Sequence, residues 1–445
     1  MLIVGNGRLI TRDAATDYFE NGAVVCDGGK IVAAGDFISL RGKYPDAELL
    51  DARGGLIMPG LINAHTHIYS GLARGLSLPE HSPTTFLEVL EGMWWHLDRH
   101  LDLEAVRASA YCTLVDCLKM GVTTIFDHHA SFGAIRGSLF AIADVAAELG
   151  LRASLCYEVS DRDGTEKCGE AISENVEFAR WAAQQQGDRF SAMFGMHAPF
   201  TLSDATLARC AQENGARTGY HIHVAEGLND VYDSRRRYGR LPVQRLLDWG
   251  ILGEKTILGH CIHVTPPEME IIRETGTAVV NNPQSNMGNA VGCAPVLPMM
   301  ARGILVGLGT DAYTHDMLES VKSALAIQRH HAGLPNVAWC EVTDMLFYNN
   351  ARIGARHFDE PLGILRPGAA ADIAVFDYRP FTPFSGSNAD GHILFGLEGR
   401  QCLHTVANGR VLVKDRELCF ADEAAINARV RESAVRLWKS LREEG

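Results

Sequence analysis

The chain has 445 residues, a hydrophobic fraction of 47% and a formal net charge of −13 at pH 7. This length exceeds one ordinary hydrophobic core, so we expect a large α/β unit with a smaller domain. The acidic balance disfavours nucleic acid as a partner, and no uncharged apolar run of about 18 residues predicts a membrane span. The first residues lack a secretory signal pattern and the 11 cysteines are scattered, which favours reduced thiols and the cytoplasm. A homo-oligomer is left open.

Both ends of the chain carry short β-strand patterns bounded by Asn, Asp and Gly. Neither end has enough strands to bury a sheet alone. We therefore predict that residues 1–57 and 366–415 pack into one composite β-sandwich, followed by a C-terminal helical segment, 416–445. The apolar runs that support this prediction are 2–4, 22–26, 30–34, 371–377 and 405–413.

The middle of the chain, residues 58–365, alternates apolar runs with amphipathic stretches. Eight strand–helix repeats over roughly 300 residues predict a (β/α)₈ barrel, in which functional side chains gather at the carboxyl ends of the strands. The strands are predicted at 61–67, 122–127, 151–158, 190–196, 219–225, 256–260, 277–281 and 304–310.

Helix signals lie between these strands. Asp102 can cap a helix whose apolar residues keep near-helical spacing, and Gly121 closes it. Similar signals recur at 138–149 and 316–331. The segment 68–101 is too long for an ordinary connection, and its tryptophans, Trp94 and Trp95, fit either a lid over the site or anchors in the core.

Polar and titratable side chains crowd the predicted strand ends. His65 and His67 share one face of a strand and can point at one metal ion, although such a pair alone is equally typical of a polar turn. Three histidines and one aspartate suit Zn²⁺ or Fe²⁺, and we predict His65, His67, His223 and Asp311 as the ligands. The other strand-end residues are Asp127, His128, His129, His197, His221, Glu226, His260, His263 and 281–286.

Six motifs then resemble the amidohydrolase superfamily, in the branch that holds guanine deaminase, adenosine-type deaminases and triazine hydrolases. The segments 94–99 and 127–131 are most similar to the SsnA aminohydrolase group. This resemblance implies a barrel with a composite β-sandwich and one metal ion per chain, zinc before iron. The motifs are PGLINAHTH at 59–67, HAPFT at 197–201, HVAE at 223–226, GHCIH at 259–263, NPQSNM at 282–287 and GLGTD at 307–311.

The resemblance also implies a role for each matching residue. His65, His67 and His223 become the imidazole ligands, and Asp311 becomes both a ligand and the acceptor of a proton from water. Glu226 becomes the proton shuttle, and His260 polarises the substrate or steadies the attacking hydroxide. No lysine ends the fourth strand, so a bridged pair of metal ions has no obvious support. The predicted substrate contacts are His197, His128, Ser285 and Asn286, with a hydrogen bond inside the barrel rim as the alternative for His128.

The predicted reaction is hydrolysis of a C–N bond in a nitrogen heterocycle, purine-like by resemblance, with a small-molecule substrate and water as partners. Ammonia is released if the attacked carbon bears an exocyclic amine, and a ring opens if that carbon lies in a cyclic amide; the sequence leaves both open. A catalytically inactive binding protein is the third interpretation. It predicts a missing ligand or acid, whereas all five key residues are present.

Overall fold

Parallel strands alternate with helices through the middle of the chain, in a computed structural model that describes residues 1–78 and 81–443. Every residue of the first three of these strands is buried, as expected for a parallel sheet covered by helices. The eight strands are Leu61–Thr66, Val122–His129, Arg152–Tyr157, a fourth in two pieces, Phe190–Ala192 and Phe194–Met196, then Tyr220–Val224, Ile257–His260, Ala278–Asn281 and Val306–Leu308.

Two isolated parallel bridges join the four-stranded and five-stranded halves of this arrangement. Thr66 of the first strand pairs with Asp311, which follows the eighth strand. Val159, just past the third strand, pairs with Met196 at the end of the fourth. The strands therefore close into the predicted (β/α)₈ barrel, and all eight lie where the sequence predicts them. The carboxyl ends of the strands meet at one rim, which is the functional face of this architecture.

Strands from both ends of the chain form a second, nine-stranded sheet within the described residues. The strand Leu56–Pro59 pairs antiparallel with Ile373–Phe376 and parallel with Leu2–Ile10, so it joins the N-terminal and C-terminal parts. The predicted fold class, a barrel with an added sheet built from both termini, is confirmed. The remaining strands of this sheet are Tyr18–Asp27, Lys30–Asp36, Glu48–Asp51, Cys402–Ala407, Arg410–Lys414 and Glu417–Leu418.

Helices cover the barrel. Asp102 caps Leu103–Lys119 by accepting from the Ala105 amide, and Gly121 follows this helix with φ of 79°. None of the described helices is long and apolar enough to cross a membrane. The other helices are Phe37–Lys43, Phe86–Val89, Trp95–His100, Ser138–Leu149, Gly164–Ala182, Asp204–Glu213, Leu228–Tyr238, Pro242–Asp248, Pro266–Thr275, Pro283–Gly288, Val296–Ala301, Met317–Ala332, Trp339–Asp344, Asn350–Gly354, Ala389–Phe395 and Glu423–Glu443.

Candidate metal centre and active site

Four predicted ligands meet at the carboxyl rim of the barrel. His65 and His67 come from the end of the first strand, His223 from the fifth, and Asp311 lies three residues past the eighth. Asp311 adopts a left-handed φ of 56°, and its amide donates to the carbonyl of His65 at 3.1 Å. The two ends of the barrel sheet are thereby tied together directly beneath the site.

The Nδ1 atom of each ligand histidine is engaged away from the centre. His65 Nδ1 lies 2.8 Å from Nε2 of His221. His67 Nδ1 donates to the carbonyl of His128 at 2.6 Å, and His223 Nδ1 donates to the carbonyl of His197 at 2.8 Å. These contacts fix the ring orientations, as outer partners of metal-binding histidines do, and direct the Nε2 atoms toward one point.

The Nε2 atoms and the Asp311 carboxylate are spaced as ligands of a single ion. Asp311 Oδ1 is 2.8 Å from His67 Nε2 and 3.5 Å from His65 Nε2, and the Nε2 atoms of His67 and His223 are 3.2 Å apart. Ligand atoms that each lie about 2.0–2.2 Å from an ion are roughly 3–3.6 Å from one another. His65 Nε2 has no hydrogen-bond donor or acceptor among the described residues. The donor set therefore fits a divalent metal ion.

The protonation of these groups is also compatible with a metal. Burial lowers the pKa of His65 to about 4, so this imidazole is neutral at neutral pH and has one bare nitrogen. Burial also opposes protonation of His67, but the Asp311 carboxylate outweighs it and raises the pKa of His67 to about 9. Burial would raise the pKa of Asp311, yet His67 and His65 hold it well below its usual range. Metal binding would therefore displace a proton from His67.

Glu226 and His260 lie beside this cluster. His260 Nε2 is 3.5 Å from Glu226 Oε2 and 3.9 Å from Asp311 Oδ2, while its Nδ1 contacts Oδ1 of Asn286 at 2.8 Å. Burial raises the pKa of Glu226 to about 7 despite the opposing effect of His260. A carboxyl group that titrates near neutral pH suits proton transfer in both directions.

A small cavity, about 40 Å³ in volume, lies over the cluster. Tyr69, Phe86, Leu90, Trp94 and Trp95 supply an apolar wall suited to a flat ring. All five belong to the segment 68–101, which covers the site as the lid interpretation expects. Trp95 is also anchored, because its ring lies 5.8 Å from that of His197 and 6.4 Å from that of Phe200. The lid and anchor interpretations therefore both describe this segment.

The predicted substrate contacts divide into two layers. His197 lines the cavity, and its Nδ1 contacts Thr201 Oγ1 at 2.7 Å. His128, Ser285 and Asn286 are not among the cavity-lining residues of the described chain. Ser285 donates to Asp311 Oδ2, Asn286 supports His260, and His128 Nε2 faces the carbonyls of Met196 and His221. Of these three side chains, Ser285 contacts a residue that lines the cavity, Asp311.

Sequence reasoning missed two polar residues of the cavity, Glu158 and Asn289. Asn289 donates to Glu226 Oε1 at 3.4 Å. Glu158 directly follows the third barrel strand. The third strand was the only predicted strand with no candidate residue at its end, so the sequence could have pointed to Glu158 by its position. His221, which the sequence analysis placed among the strand-end residues, supports the ligand His65.

The chain is similar to known proteins over most of its length. The chain is 32% identical over 402 residues to a 5-methylthioadenosine/S-adenosylhomocysteine deaminase of Thermococcus onnurineus, covering 89% of this chain and 90% of that one. It is 29% identical to a 5'-deoxyadenosine deaminase of Methanosarcina mazei, covering 98% of both chains.

Two solved structures share the fold. An adenosine deaminase from Xanthomonas campestris with bound zinc superposes with a TM-score of 0.86 at 22% identity, covering 98% of both chains. The atrazine chlorohydrolase TrzN from Arthrobacter aurescens complexed with zinc gives 0.81 at 24% identity, covering 98% of this chain and all of that one. The model of the amidohydrolase family matches residues 56–412. The chain belongs to the amidohydrolase family and is a metal-dependent hydrolase that acts on carbon–nitrogen bonds.

Proposed function

We propose that the chain binds one divalent metal ion, zinc before iron, through His65, His67, His223 and Asp311. With it, the chain removes an exocyclic amino group from a purine-like heterocycle as ammonia. The observation that carries this proposal is the convergence of the His65 and His67 Nε2 atoms on the Asp311 carboxylate, with His223 Nε2 3.2 Å from His67 Nε2. Relatives at 29–32% identity carry the names of adenosine-type deaminases, which supports removal of an amino group from a purine-type ring and leaves the identity of the base open.

The metal, when bound, supplies Lewis acidity that lowers the pKa of water to about 7 and so makes hydroxide available at neutral pH. Asp311 then accepts the proton of the attacking water, and His260, fixed by Asn286, steadies the incoming oxygen. Glu226 delivers a proton to the ring nitrogen next to the attacked carbon and then to the departing amine. The aromatic wall holds the ring flat against the cluster and limits access of other water.

The test combines metal analysis with a substrate screen on one preparation. We expect about one divalent ion per chain, and ammonia release from amino-substituted purines, pterins or pyrimidines with a matching change in ring absorbance. Two tightly held ions per chain would refute the mononuclear site. A ring-opened acid without ammonia would instead identify a cyclic amidohydrolase. A chain that binds metal and ligand but turns over none of these compounds would be the inactive binding protein.

A further inference from the structure

Glu158 is a buried carboxylate that the chemistry above does not use. It follows the third barrel strand, where its amide donates to the carbonyl of His129 at 2.8 Å. The following residue, Val159, is fixed by its β-bridge to Met196. The residue is only 3% exposed, yet its side chain lines the cavity over the metal cluster. Burial raises the pKa of Glu158 to about 7 although Arg162 opposes the shift, so a donor that reaches this side chain favours its ionised form.

Arg162 is the nearest cation, and other carboxylates already occupy it. Both terminal nitrogens of Arg162 hydrogen-bond to Asp98, and one also lies 3.3 Å from Asp163. Glu158 Oε1 is left 3.7 Å from the guanidinium, beyond the about 2.7–2.9 Å of a charge-assisted hydrogen bond. Arg162 thus attracts Glu158 electrostatically without giving it a hydrogen bond.

His128 faces the other oxygen of Glu158 and cannot donate to it in its neutral form. Its Nε2 lies 3.0 and 3.2 Å from two backbone carbonyls, of Met196 and His221, which only accept, so the single proton is on Nε2. The bare Nδ1 lies 3.5 Å from Glu158 Oε2 and gives that oxygen no hydrogen bond while Glu158 is ionised. A donor can reach Glu158 from the cavity that it lines.

Glu158 is close enough to the cluster to contact the reacting ring itself. One of its oxygens and one nitrogen each of His197 and His223 all lie within 4.8 Å of one another. Glu226 approaches from the other side, after the fifth strand and next to His260 of the sixth strand. A ring whose attacked carbon lies at the cluster therefore presents one neighbouring atom to Glu226 and the other to Glu158.

We propose that Glu158 accepts a hydrogen bond from a ring N–H beside the attacked carbon. The chain would then select heterocycles whose amino-bearing carbon lies between a bare ring nitrogen, protonated by Glu226, and an N–H nitrogen. That pattern is a cyclic guanidine or acylguanidine, such as a 2-amino-4-oxopyrimidine ring. In adenine-type rings the second neighbour is a carbon, and in 2-aminopyrimidine it is a bare nitrogen that would face the carboxylate as another acceptor.

The inference rests on the proposed deamination and leaves its balance unchanged. Water adds to the carbon and a C–O bond forms; one proton of water ends on the ring nitrogen, the other goes to the amino group, and the C–N bond breaks to release ammonia. No oxidant or reductant is needed. Glu158 takes no part in these proton transfers and acts on the choice of substrate.

The test uses two pairs of compounds: isocytosine against 2-aminopyrimidine, and guanine against adenine. We expect the wild-type chain to prefer the N–H member of each pair in kcat/KM. Glu158→Met removes the acceptor at similar size and should reduce that preference by roughly 10- to 100-fold, the range for a hydrogen bond to a charged group. Glu158→Gln keeps one acceptor oxygen and should retain part of the preference. Intrinsic reactivity cancels, because each variant is compared with wild type on the same pair.

Glu174→Gln is the matched control, since Glu174 is also buried after the third strand but accepts from the amides of Gly137 and Leu139, away from the cavity. It should leave the preference unchanged, and all variants should keep wild-type metal content. Equal losses on both members of a pair, or a wild-type preference for adenine or 2-aminopyrimidine, would overturn the inference while deamination stands. Absence of ammonia from every compound would instead refute the proposed function.

Discussion

Replacing Glu226 by glutamine separates proton transfer from metal binding. Glutamine keeps the size of the side chain and an oxygen that can accept from Asn289, but it cannot carry a proton. The nearest group of the cluster is His260, 3.5 Å from Glu226 Oε2, so no predicted metal ligand loses a contact. We therefore expect metal content and the free energy of unfolding to stay near wild type.

The expected effect of Glu226→Gln is on turnover. General acid–base catalysis contributes about 10²–10⁴-fold, which corresponds to roughly 2.7–5.5 kcal/mol of transition-state stabilisation. Because the ground state does not require the proton, kcat should fall by that factor while KM changes much less. Glu226→Asp is the control: it can still carry the proton from a shorter side chain and should lose less activity.

The assay measures kcat, KM and bound metal on one preparation of each variant. Loss of metal in Glu226→Gln would show that Glu226 is a ligand and that the proposed coordination set is wrong. Full activity with full metal content would assign the proton transfer to another group, His260 first. An equal loss in Glu226→Asp and Glu226→Gln would indicate that the position of the side chain, and not its proton, is what matters.

Further predictions follow from the same geometry. His223→Ala should lose most of the bound metal, measured by elemental analysis, and a metal content near wild type would exclude it as a ligand. His221→Ala should weaken metal affinity by roughly 10- to 100-fold, because it removes the partner of His65 Nδ1; unchanged affinity in a metal-competition titration would contradict this. Deleting residues 366–415 should destabilise the N-terminal strands, since Ile373–Phe376 pairs with them, and unchanged thermal unfolding would show that the two ends are independent.

The last of these predictions concerns the stability of the fold in acid. Burial lowers the pKa of His357 to about 3, so the folded chain binds fewer protons there than the unfolded chain between about pH 3 and 6.5. Stability should therefore be lost as the pH falls through this range, by at most about 1.4 kcal/mol per pH unit. His357→Gln should flatten that slope in urea unfolding at several pH values, and an unchanged slope would show that His357 is not its source.

The barrel was predictable from the sequence because its strands are apolar runs at regular spacing, each followed by a helix signal. Predicted ends differ from the observed ones by a few residues, as at 122–127, where the strand extends through His129. The second sheet was predictable only as a pairing of two incomplete ends. Its register, with Ile373 opposite Pro59, depends on packing between segments more than 300 residues apart and leaves no local pattern.

The proposed ligand histidines were recognisable because they stand at predicted strand ends within motifs that resemble the amidohydrolase superfamily. The supporting contacts were not, since the partner of His67 is a backbone carbonyl, which no side-chain pattern announces. Glu158 ends the predicted strand 151–158 and was missed because the charged residues Asp161, Arg162 and Asp163 that follow it suggest a solvated loop. Its burial and the prior use of Arg162 by Asp98 add to its position at the strand end and make it a functional candidate.

The charges around the cavity explain why this site would require both a cation and a donor from the substrate. Burial lowers the pKa of His65 and His223, so these imidazoles bring no positive charge to the cluster at neutral pH. Asp311 and the buried carboxyl groups of Glu226 and Glu158 bring potential negative charge from three different strands. A divalent ion can neutralise Asp311 and lower the electrostatic cost of ionised Glu226, but Glu158 lies on the side of the third and fourth strands, where His128 offers no proton. On the proposal above, a ring N–H of the substrate supplies that hydrogen bond, so the burial of Glu158 makes it a determinant of which ring is accepted.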